Sequence, residues 1–334
     1  MRKIVIGIVI AMLCAGCQAK RDLFADADMT PVTVRIVRFD SAFLGVEAAH
    51  PTEGVARLYK QYPDFTPYFV NELLGLENAD SLVAVLPAFL GDTTLHIRRM
   101  IQDEQALFTD LSDLQGELNE AFTRLHYLFP EWTVPEIYLY VSGFVSPVYF
   151  PSDEIIGIGA DMYLGADYPT YAQLVYDYQK PTMSREWMAG DALSAYLFRN
   201  LPFNGRQNRL LDQMIYHGKI MYLLDQIMPG QQDGQIIGYT EEQWTWCVDH
   251  ERAIWQRIMD NRDLFQTDGM VLTSYMNDGP FTSEVSQDSP GRLGTWVGWR
   301  IVERYMNNNP EVSMQSLLDN DDAQQILENS HYRP

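Results

Sequence analysis

The period of the apolar positions changes along the chain, and each change predicts an element. An apolar run from Ile4 to Leu13 follows Arg2 and Lys3. At about ten residues it is half of the roughly 20 needed for a helix to span a bilayer, so it reads as an export segment. Gln18 to Thr30 is polar and acidic, the composition of a tether. Val32 to Phe39 alternates and is rich in Val and Ile, which predicts a strand. Thr52 to Tyr62 and Pro67 to Leu76 predict short helices on either side of a turn at Pro63. From Thr93 to Leu128 apolar residues recur at helical spacing, and a break at Asp110 to Asp113 divides them into two helices, the second ended by Pro130.

Pro135 to Val141, Val148 to Phe150 and Glu154 to Ala160 are strand candidates, and everything after Asp161 is helical in pattern. Leu210 to Met228 is apolar around most of its circumference, which predicts a central, buried helix. Thr240-Glu241-Glu242-Gln243 is a capping box with Tyr239 and Trp244 placed as its hydrophobic staple, opening a helix that runs to about Asn261. Asp288-Ser289-Pro290 supplies a cap and a first-turn proline for a helix from Pro290 to Met306. No fixed-period repeat and no low-complexity linker divides the chain after residue 31. The expected fold class is α+β, mainly helical with a small sheet of three to four strands, as a single domain over residues 32–334.

Composition supports a packed core. Of 334 residues, 46% are apolar and 21% charged, a globular balance. The 45 Asp and Glu against 24 Lys and Arg give a formal net charge of -21, which repels phosphate backbones and argues against nucleic acid as a partner.

Cysteine placement gives an address. Leu13-Cys14-Ala15-Gly16-Cys17 closes the export segment with small residues before a Cys, the arrangement that lipoprotein signal-peptide cleavage requires. Residues 1–16 are then a signal peptide, Cys17 is the lipidation site and 17–31 is the lipid-anchored tether. With Cys14 removed and Cys17 acylated, Cys247 stands alone, so no disulfide is expected within the mature chain. Its neighbours at helical spacing, Trp244, Val248, Trp255 and Ile258, mark it as a small buried hydrophobe.

Motifs for the common chemistries are missing. H-E-x-x-H is absent, the six His are scattered, and no G-x-S-x-G elbow, phosphate loop or dinucleotide fingerprint occurs. No metal and no cofactor is expected. Acidic pairs such as Asp153-Glu154 and Glu241-Glu242 read as solvated faces or helix starts. Asp161 closes a predicted strand, where sites are often built, and it also fits as the cap of the following turn. Gly291, Gly294 and Gly298 line one face of the predicted last long helix, for close backbone packing or for an anion at the helix start beside Arg292.

Several strings taken in order resemble the gliding-motility-associated lipoprotein GldB family. They are Arg38-Phe39-Asp40, Tyr62-Pro63-Asp64-Phe65, Ile158 to Gly165, Leu211 to Tyr216, Ile237-Gly238-Tyr239-Thr240, Ser289 to Arg292 with Gly298 to Val302, and the terminal His331-Tyr332-Arg333-Pro334. The resemblance implies an envelope lipoprotein that works with other gliding and type IX secretion envelope proteins, and it implies no established enzymatic activity. A more distant likeness is to zinc-dependent proteases of the zincin type. It sets Ser184 to Asn200 in the place of the active-site helix, with Asp191 where that helix offers no His, and His217-Gly218 in the place of a Glu-Gly ligand pair. It therefore implies a degenerate zincin-like fold without the metal ligands.

The expectation is a non-catalytic lipoprotein, anchored in the outer membrane and facing the periplasm, that supports assembly or stability of the gliding and type IX secretion machinery. Asp161, Asp191, His217 and Arg292 are the candidate pocket or anion-site residues. The alternatives are a protease-like hydrolase with a non-standard site, or a glycan or peptidoglycan binder using some of the 19 Tyr and 7 Trp.

Overall fold

The computed structural model describes residues 21–91, 97–205 and 207–334. The export segment, Cys17 and the first residues of the expected tether lie outside the described residues. β1 (Ile36–Arg38) runs straight into α1 (Phe39–Leu44), followed by α2 (Pro51–Gln61), α3 (Thr66–Tyr68), α4 (Ala79–Gly91), α5 (Ile97–Leu107) and α6 (Ser112–Leu128). Then come β2 (Glu136–Tyr140), β3 (Val148–Ser152) and β4 (Ile155–Gly159). The remainder holds α7 (Tyr171–Leu174), α8 (Met188–Asn200), α9 (Leu210–Ile227), α10 (Asp233–Ile237) and α11 (Glu241–Asn261). It ends in α12 (Gly269–Met276), α13 (Leu293–Asn308), α14 (Met314–Asp319) and α15 (Ala323–Ser330). The fold is α+β, mainly helical with one four-stranded sheet.

The sheet order is β1-β2-β4-β3, with β3 antiparallel at one edge and the other neighbours parallel. Its side chains alternate between two cores, as the period of a strand demands. Ile137, Leu139, Ile156 and Ile158 face the large helical body. Val37, Tyr138, Tyr140 and Ile155 face a smaller cluster under α1, α2 and α4, built on the rings of Phe39, Phe43, Phe65 and Phe69. Glu104 of α5 is fully buried beside this layer, with Asp40, Asp161 and Arg38 as its charged neighbours.

The helical body is organised around α9, whose residues are nearly all buried. Its start is fixed by Asp212, which accepts the backbone N–H of Arg209 at 2.9 Å and pairs with that guanidinium at 2.8 Å. The α11 cap forms as the sequence predicts: Gln243 N–H donates to Thr240 Oγ1 at 3.3 Å, and Thr240 N–H to Gln243 Oε1 at 3.0 Å. Cys247 is fully buried in α11.

Four expectations are corrected. The predicted strand from Val32 pairs only over Ile36–Arg38, because α6 side chains satisfy the preceding backbone: Thr123 accepts Val32 N–H, Asn119 accepts Val34 N–H and Gln115 donates to Val34 C=O. The segment 163–187, expected to be helical, consists of turns and short helical pieces, with a bridge between Leu164 and Ser184. The last long helix starts at Leu293, three residues late. Ser289 Oγ turns back to Ser286 C=O, and Thr282 supplies the hydroxyl that accepts Leu293 N–H and donates to Pro290 C=O. Consequently Gly291 precedes the helix, and the three glycines pack on three different elements: Gly291 on Gly279, Gly294 on Tyr275 and Met276, Gly298 on Met214.

Residues 21–24, within the stretch that reads as a tether, lie against the helical body. Arg21 donates to the carbonyls of Met306 (3.2 Å) and Pro310 (2.8 Å), Leu23 N–H donates to Gln226, and Phe24 is buried beneath the guanidinium of Arg124.

Candidate functional site

A cavity of about 690 Å³ opens between α8, α9, the start of α13 and the loops that precede β3 and follow β4. That is the size of a small-ligand pocket, which runs roughly 300–1,000 Å³. One face of α8 supplies Asp191, Ser194, Ala195 and Phe198, spaced so that they stack along one side of a helix. From α9 come His217 and Met221, one turn apart, and from the start of α13 come Arg292 and Thr295.

Asp191, His217 and Arg292 therefore meet in one pocket, although 101 residues separate the first from the last (292 less 191). The crossing of α9 over α13 brings Thr295 Oγ1 to 3.2 Å from His217 Nδ1. Loss of hydration, and then the nearby Arg292 charge, hold the imidazole down at about 4, so it is neutral at physiological pH. Asp191 Oδ2 accepts the hydroxyl of Tyr163 at 2.9 Å. Burial pushes its carboxyl up to about 6, against the opposing pull of that hydrogen bond and of Arg292.

Arg292 sits in the left-handed backbone region, at φ 58°, and its guanidinium is held from several sides. Nη2 donates to the carbonyls of Ile237 (2.8 Å) and Gly238 (3.4 Å), the ring of Tyr239 lies 5.7 Å beneath the guanidinium carbon, and Asp278 Oδ1 approaches Nε at 2.9 Å. Gly238 makes room for this arrangement. A Cβ there would stand 2.9 Å from Nη2, and its φ of 74° independently favours glycine.

Asp161 lies outside the pocket, fully buried. Its carboxylate accepts Ser142 N–H and Phe144 N–H, both at 2.7 Å, and the hydroxyl of Ser142. It thus secures the loop before β3, which carries Phe144 and Val145 to the pocket wall; the turn its carboxylate holds lies earlier in the sequence, and is not the one that follows it. Its main-chain carbonyl accepts the hydroxyl of Tyr171.

Sequence reasoning did not single out Tyr163, Thr295 or Asp278 as functional. Tyr163 and Gly238 lie inside strings that carry the family resemblance; nothing in the sequence pattern distinguishes Asp278. Tyr176 and Tyr178 stack at 5.7 Å between ring centres, with Tyr178 on the wall and Tyr176 exposed. Among the described residues, no group of three or more His, Cys, Asp or Glu side chains is placed to hold a metal ion. Nor is any helix among them long and apolar enough to cross a membrane.

The profile of the family described as gliding motility protein GldB matches residues 21–334. No curated protein and no solved structure matches the chain.

Proposed function

The chain belongs to the gliding motility protein GldB family, and from that premise we propose that it is a non-catalytic envelope lipoprotein supporting assembly or stability of the gliding and type IX secretion machinery. The observation that carries this reading is the family match over the whole described body, residues 21–334. Three features support the finer parts. Arg2-Lys3, the Ile4 to Leu13 run and Ala15-Gly16-Cys17 form a lipoprotein export signal, which would place acyl chains on Cys17 and the protein at the outer membrane, facing the periplasm. The pocket imidazole is held near 4, well below the neutral range in which an effective general base works. The acidic surface favours basic partner surfaces, a contact that weakens with salt.

The test is deletion in a gliding host, complemented with the native chain or with Cys17→Ala. Loss of spreading and of type IX secretion, restored by the native chain and poorly by Cys17→Ala, is the expected result. A deletion that leaves both processes intact overturns the reading.

One observation favours a second reading, a protease-like hydrolase: Asp191, titrating near 6, faces the same cavity as His217. Peptidase turnover by the purified protein that is lost in both Asp191→Asn and His217→Ala would establish it in place of the first.

A further inference from the structure

We propose that the cavity binds a ligand carrying a single carboxylate on an apolar body, with Arg292 as the partner of the carboxylate. This goes beyond the envelope role above and does not depend on it.

The guanidinium is presented rather than buried as structural filler. A non-glycine residue at φ 58° is uncommon, and such strain persists where surrounding contacts over-determine it. Here the contacts are two main-chain carbonyls on Nη2 and the face of Tyr239, and Gly238 leaves the space. Those contacts fix the plane of the group without consuming it. Nη1 makes no hydrogen bond among the described residues, and Nε, though buried, has no well-aligned acceptor. Among the described residues its ion-pair partner is Asp278, which is 64% exposed, so the pair is screened by water and weak. An incoming carboxylate can replace Asp278 and gain the drier side of the guanidinium.

The rest of the cavity selects against a bare anion. A chain of net charge -21 repels small anions at long range, and Asp191 and Asp278 both stand within electrostatic reach of the site. Binding therefore needs apolar contact as well. Val148, Met162, Phe198, Met221 and Ile237 provide it around the polar groups. The neutral imidazole of His217, packed 4.9 Å from the ring of Phe198, adds a hydrogen-bonding wall without a competing charge.

The full chain, isotope-labelled at its methionine methyl groups, is titrated with four probes: octanoate, octanamide, acetyl-Leu-Leu with a free carboxylate, and its carboxamide. The expected result is saturable shifts of the Met162 and Met221 methyls by at least one acid, with affinity about tenfold or more above the matching amide. A preference for octanoate marks a lipid-derived acid, and a preference for the peptide acid marks a polypeptide carboxyl terminus. Arg292→Gln should remove the difference between acid and amide. Because that substitution alters a strained position, Asp278→Asn serves as the independent variant: it lies at the surface, and removing the internal competitor should tighten acid binding a few-fold. Equal affinity for acid and amide, weaker acid binding in Asp278→Asn, or no saturable shift with any probe at millimolar concentration overturns the proposal.

Discussion

Gly298 of α13 rests against the main-chain carbonyl of Met214 in α9, so closely that a Cβ at residue 298 would fall inside the van der Waals envelope of that oxygen. One turn along α9, a Cβ at Gly218 would meet the backbone of Gly298 and Trp299 in the same way. This double contact brings two backbones together directly, and it positions the pocket, because His217 adjoins Gly218 and Thr295 lies one turn before Gly298.

Gly298→Ala should destabilise the fold by about 3 kcal/mol or more, since the obstacle is the main chain of Met214 and cannot swing aside. Gly190→Ala, on the pocket face of α8 with open space around it, should instead stabilise by roughly 0.5–1 kcal/mol through helix propensity. Urea unfolding of the two variants beside the native chain measures both. Equal effects would mean that the crossing adjusts freely.

Glu104 predicts a pH dependence. Burial, and then the neighbouring carboxylates of Asp40 and Asp161, hold its carboxyl far above the ordinary value of 4.5, so the folded protein keeps it neutral. The unfolded chain releases that proton above about 4.5. Stability associated with the neutral form is therefore complete below about 4.5 and is lost progressively as the pH rises through neutrality. Glu104→Gln, neutral at every pH, should raise stability by at least about 1 kcal/mol at pH 8 and by little at pH 4, read from melting curves at the two values.

Asp161→Asn keeps the shape of the side chain but turns one acceptor oxygen into a donor facing the Ser142 and Phe144 side of the loop. Losing one of two backbone N–H partners should cost roughly 1–3 kcal/mol locally. Amide hydrogen exchange at Ser142 and Phe144 should quicken, while the amides of α9 keep most of their protection. Unchanged exchange at both positions would remove Asp161 from its loop-holding role.

Cys247 is fully buried, and loss of hydration pushes its thiol well up, so little thiolate forms and a reagent cannot reach it. A bulky thiol reagent should therefore label the native protein only at its rate of opening and label it at once in denaturant. Rapid labelling of the folded state would contradict the packing of α11.

His217 should remain neutral until the pH approaches 4. Its folded value lies below the ordinary 6.5, so its contribution to stability is present above 6.5 and is lost as the pH falls towards 4, by up to about 3 kcal/mol. Asp191, raised to about 6, acts with the opposite sign in an overlapping range. Bulk stability would blur the two, so ring-proton NMR of His217 is the measurement, with a midpoint near 6.5 as the contrary result.

The long elements were legible in the sequence because their signals are local. The turn of apolar residues around Leu210–Ile227 and the capping box at Thr240 specify α9 and α11 almost to the residue. The start of α13 was not, because its capping hydroxyl comes from Thr282, eleven residues upstream, and a short-range reading preferred Ser289. The Val32–Val34 stretch has strand composition but finds its partners on a helix. At the site, Asp191, His217 and Arg292 were each legible singly, through the family strings or their positions by analogy. Their assembly depends on a helix crossing that no spacing encodes, and Asp278 reaches Arg292 from a loop without any pattern of its own.

The hold of Arg21 on the carbonyls of Met306 and Pro310 has a spatial consequence. It fastens the incoming chain at the end of α13, whereas Arg292 and Thr295 lie at its beginning, and a 16-residue helix is about 24 Å long. With acyl chains on Cys17 as proposed, only four residue steps, about 14 Å at full stretch, separate lipid from that fastening. Whatever docks beside Arg292 would then do so about a helix length from the point where the leash is moored.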